Sequence, residues 1–332
     1  MNPPTAVAIE RLDHGTLSFL DFDHGISAID TGFERPLFDA SHLIIDHGRA
    51  AFVDAGVNAS VPMLIGVLEH KGLTPAAVDW LLLTHVHLDH AGGAGELLRR
   101  LPNAKLVVHP RGVRHMVDPS ALWAGALAIY GPEEMARSYG ELTPVPAERV
   151  VASSDDMTLE LGGRRLRLID TPGHAKHHHG IWDEDTRGWF TGDTFGISFH
   201  QFTTDKGRWI FPTTTPVQFE PEAMRASIER MLAADPACLY LTHFSRVDEV
   251  PRLAALLLGL LDRVVALGQS LRAEPDRMPK LREGLLTIYL ESLAEHGCRM
   301  AEDAVAELLA VDLELNAQGM VAWLERDARS RG

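Results

Sequence analysis

The chain has 332 residues, 45% hydrophobic and 23% charged, which fits one large or two ordinary globular domains. Its 31 Lys+Arg against 46 Asp+Glu give a formal charge of −15, a surface that repels nucleic-acid phosphates and anionic membranes. Cys238 and Cys298 form no paired pattern, the opening MNPPTAVAIERLDHG lacks a signal-peptide profile, and the apolar run Leu253 to Leu261 falls well short of the ~20 residues a membrane span needs. A cytoplasmic protein is therefore expected, with a small molecule, neither nucleic acid nor membrane, as its partner.

In chain order, HLIIDHGRAAFVDAG predicts two strands around an Asp46-His47-Gly48 turn. Asn58 is placed to cap a helix through Leu68 that Gly72 ends. A strand over 80–84 is followed by a helix over 91–100, and AKLVVHP by another strand that Pro110 closes. Residues 111–147 are rich in Gly, Pro and small side chains, with Trp123, Tyr130 and Tyr139 between them, and predict short helices and loop that can act as a lid. MTLELGGRRLRLIDTPG is a hairpin about Gly162-Gly163, and GIWDEDTRGWFTGD a second one turning over Asp183 to Gly188. A long aromatic-rich loop over 194–220, a helix over 221–234 and the strand CLYLT complete a mixed α/β body.

After His243 three segments show helical apolar spacing and no strand signal remains. The expected organisation is a domain over 1–245 and a C-terminal helical segment over 246–332. The leucine stripes of that segment read as ordinary core and predict packing on the body, with a homodimer contact left open.

Four strand ends carry the chemistry. WLLLTHVHLDHAGG stops an apolar run at Thr84 and then sets His85, His87, Asp89 and His90 within six positions. In an extended segment residues i and i+2 point the same way, so His85 and His87 can share an ion, and a turn can aim Asp89 and His90 at another. LRLIDTPGH ends in His174, GWFTGDTF in Asp193, and CLYLTHF in His243. Groups this costly to bury unpaired, repeated at four apolar strand ends, point to a metal centre.

With Asp54 in FVDAG, these motifs resemble the metallo-β-lactamase-fold hydrolase superfamily over roughly residues 40–245, in the superfamily's own order. The resemblance implies an α/β fold, a four-layer αββα metallo-β-lactamase-type sandwich, here with a C-terminal helical extension. It implies His85, His87 and His174 on one ion, and Asp89, His90 and His243 on a second. Asp193 bridges the two, and Asp54 orients a ligand from behind. Five histidines and two carboxylates with no thiolate suit two divalent metal ions, zinc first, with iron or manganese also compatible.

The motif wording is nearest to glyoxalase II and related thioester hydrolases, although Ala175 stands where that branch favours threonine and His177 where it favours glycine. His178 matches a histidine of that branch and is a substrate-pocket candidate, as are His200 and Trp209 in the loop after Asp193. The function expected is a dinuclear hydrolase of a small ester, thioester or lactone, acting through a metal-bridging hydroxide, with Asp89 as the catalytic group that orients the hydroxide or moves its proton. A small-molecule phosphodiesterase and a mononuclear iron enzyme of the persulfide dioxygenase type are the alternatives.

Overall fold

The computed structural model describes residues 8–12, 15–215 and 217–331. The chain divides into two compact units. The first comprises Met1–Asp170, His179–Gly192 and Ala237–Arg246, and the second Thr171–His178, Asp193–Pro236 and Val247–Gly332.

The first unit holds two sheets. Eight strands run side by side in sequence order: β1 (Ala8–Leu12), β2 (Gly15–Phe22), β3 (Ile26–Asp30), β4 (Ala40–Asp46), β5 (Arg49–Val53), β6 (Val78–Leu82), β7 (Lys105–Val108) and β8 (Val150–Ala152). The first five pair antiparallel and the last three join in parallel, since helical crossovers separate them. Those crossovers are α1 (Val61–His70), then α2 (Leu88–Ala91) with α3 (Ala94–Arg100), then α4 (Val113–Val117) with α5 (Ser120–Glu134). The second sheet runs β14-β13-β12-β11-β10-β9, from β9 (Met157–Leu161), β10 (Arg164–Asp170), β11 (His179–Asp183) and β12 (Gly188–Gly192) to β13 (Cys238–Leu241) and the edge strand β14 (Ser245–Val247).

The period of two along the strands builds the layers. Leu43, Phe52, Leu81 and Leu106 face the side where Leu64 and Leu68 of α1 and Leu97 and Leu98 of α3 pack. Their neighbours Ile44, Val53, Leu82 and Val107 face the other sheet and meet Leu161, Leu166, Ile181, Phe190 and Tyr240. Every fully buried side chain of this size is worth roughly 1.5–3 kcal/mol, so both faces of the first sheet drive folding.

The second unit is helical, with α6 (Pro221–Leu232), α7 (Val250–Ser270), α8 (Arg277–His296), α9 (Glu302–Leu308) and α10 (Ala310–Arg331). Its buried leucines recur at helical spacing, as with Leu253, Leu257, Leu260, Leu261 and Val264 on α7. No helix among the described residues is long and apolar enough to cross a membrane.

Four local expectations change. The third helical pattern splits at Leu309 into α9 and α10, at a break that neither Gly nor Pro marks. A strand follows His243 after all, but β14 is three residues long and offers no alternation to read. The strand before the histidines stops at Leu82, because the Thr84 amide is diverted to the Asp54 side chain. Asn58 caps nothing, and its amide donates to the Glu141 carbonyl instead.

His42 on β4 is 1% exposed, with its ring against Phe190 (5.3 Å) and Tyr240 (5.8 Å). Burial pushes its pKa down from 6.5 to about 3. The unfolded chain therefore binds a proton below pH 6.5 that the folded chain refuses. The stability this gives is complete above pH 6.5 and is lost as pH falls towards 3. Urea unfolding at pH 7.5 and pH 5 should show His42→Leu losing about 2 kcal/mol less than the wild type over that interval. Equal losses in both proteins would mean that His42 is not held neutral.

Candidate metal centre

In the first unit the strand ends converge on one carboxylate. Asp54 follows β5, is 1% exposed and takes a positive φ of 60°, in the left-handed region that aspartate tolerates better than most residues. Its Oδ1 accepts the Thr84 backbone N–H at 2.8 Å, and its Oδ2 accepts the Thr84 hydroxyl at 2.8 Å. The Thr242 hydroxyl donates to Oδ2 at 3.1 Å and His90 Nδ1 lies 2.9 Å from the same oxygen. The carboxylate that follows β5 is thus met by the ends of β6 and β13 and by α2.

The same bonds set the histidine tautomers. With Nδ1–H of His90 on Asp54, its lone pair is on Nε2, which faces Asp89 Oδ2 at 3.6 Å. His243 Nδ1 donates to the Phe38 carbonyl at 3.0 Å, and its Nε2 faces Asp89 Oδ2 at 3.4 Å. His85 Nδ1 donates to the Thr84 hydroxyl at 3.1 Å, leaving Nε2 2.9 Å from His87 Nδ1. Two nitrogens on one tetrahedral ion stand about 3.3 Å apart for bonds of about 2.0–2.1 Å, close to this separation. Asp89, His90 and His243 offer ligand atoms within 4.8 Å of one another. Lone pairs turned inward while Nδ1 of His85, His90 and His243 is tied back is the donor arrangement a divalent ion needs, and the residues fit one.

The second unit presents a matching pair. His174 Nε2 lies 3.5 Å from Asp193 Oδ2, and its Nδ1 lies 3.4 Å from the Thr213 carbonyl. His178 donates from Nδ1 to the Thr171 hydroxyl at 2.7 Å and accepts the Asp193 backbone N–H on Nε2 at 3.2 Å, which fixes the turn that carries Asp193. Gly173 has a φ of 139°, and a Cβ there would stand 2.2 Å from the Met224 backbone, so only glycine lets this loop lie against α6.

The other pocket candidates serve packing and local contacts. Trp209 is 0% exposed, its indole N–H donates to Ser292 at 2.9 Å, and its ring stacks on Phe211 at 5.0 Å. His200 meets Arg208 Nη1 at 2.8 Å, and burial followed by the Arg208 charge pushes its pKa down to about 4.

Two features beside the first unit's ligands escaped the sequence reading, and a third was read only in part, through Tyr130 and Tyr139 of the lid segment. Phe38 supplies the carbonyl for His243 and sets its ring 4.9 Å from the imidazole. Asp39, 1% exposed, accepts the Thr31 hydroxyl at 2.7 Å, and burial lifts its pKa to about 7 against the pull of His243 and His90. An aromatic group extends from there, with Phe33 6.1 Å from Phe38 and 5.4 Å from Tyr139, and Tyr130 5.5 Å from Tyr139. Tyr130 feels Asp89 directly: burial and then that carboxylate push its pKa up to about 12. Only the isolated FERPLFD wording, with no period to read, marks this loop in the sequence.

Sequence comparison agrees with this architecture. Residues 35–243 match the family model of the metallo-beta-lactamase superfamily, and the chain belongs to that superfamily. The metallo-beta-lactamase fold-containing protein ST1585 of Sulfurisphaera tokodaii is 28% identical over 66% of this chain and 78% of its own length. A hydroxyacylglutathione hydrolase of Xanthomonas campestris pv. campestris is 30% identical over 58% of this chain, which spans only 58% of that enzyme. Among solved structures, a metallo-beta-lactamase family protein of Thermus thermophilus matches with a TM-score of 0.64 at 20% identity, covering 92% of this chain and 94% of that one. At that identity the likeness establishes the fold alone.

The Asp54 network makes a stability claim. Asp54→Ala strands the Thr84 amide, the Thr242 hydroxyl and His90 Nδ1 in a buried place, at a cost of at least about 3 kcal/mol in chemical unfolding. Asp54→Asn keeps one acceptor oxygen and should lose clearly less. A loss under about 1 kcal/mol for the alanine variant would show that the strand ends are held by something else.

Proposed function

We propose that the chain is a dinuclear metal-dependent hydrolase of a small ester, thioester or lactone. The observation that carries this is Asp89 Oδ2 facing the Nε2 atoms of His90 and His243 at 3.6 and 3.4 Å while each Nδ1 is tied back. On this reading His85, His87 and His174 hold one ion, Asp89, His90 and His243 the other, and Asp193 bridges them, as the superfamily's motif order implies. The catalytic domain is 1–245 with the helical segment 246–332 appended, in a cytoplasmic protein that can pair through that segment.

Bound divalent ions, zinc first, would supply hydroxide near neutral pH and polarise a carbonyl oxygen. The chain's own residues do the rest. Asp89 holds one carboxylate oxygen towards His90 and His243 and is the group to orient the attacking oxygen and carry a proton to the leaving group. Asp54 and the Phe38 carbonyl keep the two imidazoles in the tautomer that turns Nε2 inward. Phe33, Phe38, Tyr130 and Tyr139 supply an apolar wall beside Asp89 and His243, which favours a substrate with an apolar acyl part. The similarity to hydroxyacylglutathione hydrolases supports a thioester among the candidates.

Metal analysis of protein purified without added metal should give two zinc or manganese ions per chain, with turnover on a panel of esters, lactones and thioesters. Phosphodiesters in the same panel separate the second hydrolytic class. One iron per chain with oxygen uptake on a persulfide would replace the hydrolase reading. His243→Ala should release one ion and lower turnover at least about a hundredfold. Full metal content and rate in that variant would refute the dinuclear assignment.

A further inference from the structure

The C-terminal helices contribute no residue to the chemistry above, yet α10 carries a buried amide. Asn316 is 1% exposed, and its Oδ1 accepts the Thr214 backbone N–H at 2.7 Å. Its backbone carbonyl accepts the Thr214 hydroxyl at 2.9 Å, and its Nδ2 donates to the Tyr289 hydroxyl at 3.3 Å. Tyr289 in turn donates to the Pro212 carbonyl at 3.5 Å. One turn further on, a Cβ at Gly319 would stand 1.4 Å from the Thr214 carbonyl oxygen, so the helix and the loop touch backbone to backbone.

Thr214 lies between two residues that face His174. The Thr213 carbonyl is 3.4 Å from His174 Nδ1, and the Thr215 hydroxyl is 3.5 Å from both ring nitrogens. Residues 212–215 belong to no helix or strand, so no ladder fixes where that carbonyl points. A buried amide N–H outside regular structure needs an acceptor from elsewhere, and Asn316 provides it. The Thr213 contact is already near the limit of a hydrogen bond, which leaves little slack before it is lost.

We propose that Asn316 is a positioning residue for His174: by pinning Thr214 at its amide and hydroxyl, it holds the Thr213 carbonyl behind the imidazole and keeps Nε2 turned to Asp193. The proposal rests on the reading of His174 as a metal ligand. It gives the helical extension a part in the metal centre, exerted through two hydrogen bonds and a loop. Asparagine suits the place because one side chain both accepts from Thr214 and donates to Tyr289. A leucine would do neither, and an aspartate would keep the acceptor and bring a buried charge.

A purely structural role predicts that any loss of stability in the helical unit has the same effect. Zinc retained by the full-length protein, equilibrated against a graded series of zinc-buffered chelator, separates the two. Asn316→Ala should weaken one zinc about tenfold, and Asn316→Asp, which keeps the acceptor for Thr214, should stay nearer the wild type. Leu281→Ala, at a fully buried site on α8, should lower the melting temperature and leave both zinc affinities unchanged. Should Asn316→Ala not fold, Thr214→Val removes only the hydroxyl bond to the Asn316 carbonyl and should weaken the same zinc about threefold. Wild-type affinity in the folded variant, or an equal loss of zinc in Leu281→Ala, overturns the proposal. A wild-type protein that retains none of zinc, manganese or iron overturns the metal reading itself and this proposal with it, whereas two zinc ions held equally by all variants overturns this proposal alone.

Discussion

A single buried carboxylate decides how the first unit ends its strands. Asp54 sits where β5, β6 and β13 finish, and its two oxygens receive the Thr84 amide and hydroxyl, the Thr242 hydroxyl and His90 Nδ1. A charge in that place costs several kcal/mol unless each lone pair is met, and here donors come from both sheets. The bond to Thr84 stops β6 two residues early and delivers His85 just past the strand, while the bond to Thr242 delivers His243 in the same way. The apolar strands build the sandwich, and the polar residues beyond them gather at this one end because their neighbours are tied to a common acceptor.

Much of this was legible in the sequence, for a definite reason. An apolar strand followed at once by histidine or aspartate is a local pattern, and WLLLTHVHLDH, LRLIDTPGH, GWFTGD and CLYLTHF each carry it without reference to the others. The hairpin turns at Gly162-Gly163 and around Asp183 to Gly188 are equally local, and the strands fall beside them. What could not be read depends on partners distant in sequence. Phe38 meets His243 across 205 positions, and Asn316 meets Thr214 across 102, with no period or turn signal to announce either. β14 is a strand only because β13 is beside it.

Aromatic residues show the same division. The sequence marks Trp209 and Tyr130 alike as large rings in irregular segments. Trp209 is consumed by the packing of the second unit against Phe211 and Ser292, and Tyr130 belongs to a group reaching from Phe33 to Leu88, the residue before Asp89. Composition cannot separate a ring that fills a core from one that walls a site, because the hydrophobic gain is the same in both. Proximity to a charge does separate them: Tyr130 is close enough to Asp89 for that carboxylate to add to the upward push that burial gives its pKa.

The crowding of the imidazoles argues for what occupies the centre. The ring centroids of His85 and His90 are 4.1 Å apart and those of His90 and His243 5.4 Å, all at the buried end of the sandwich. Protons could neutralise the facing lone pairs only by placing several like charges within those distances, where their repulsion is weakly screened. A divalent ion meets the same lone pairs with one central charge, and each Nδ1 that bonds to a carboxylate, hydroxyl or carbonyl makes its ring a better donor to that ion. The tie-back bonds therefore perform two tasks: they close the fold at its polar end, and they turn Nε2 of His90 and His243 towards Asp89, the donor arrangement a divalent ion would use.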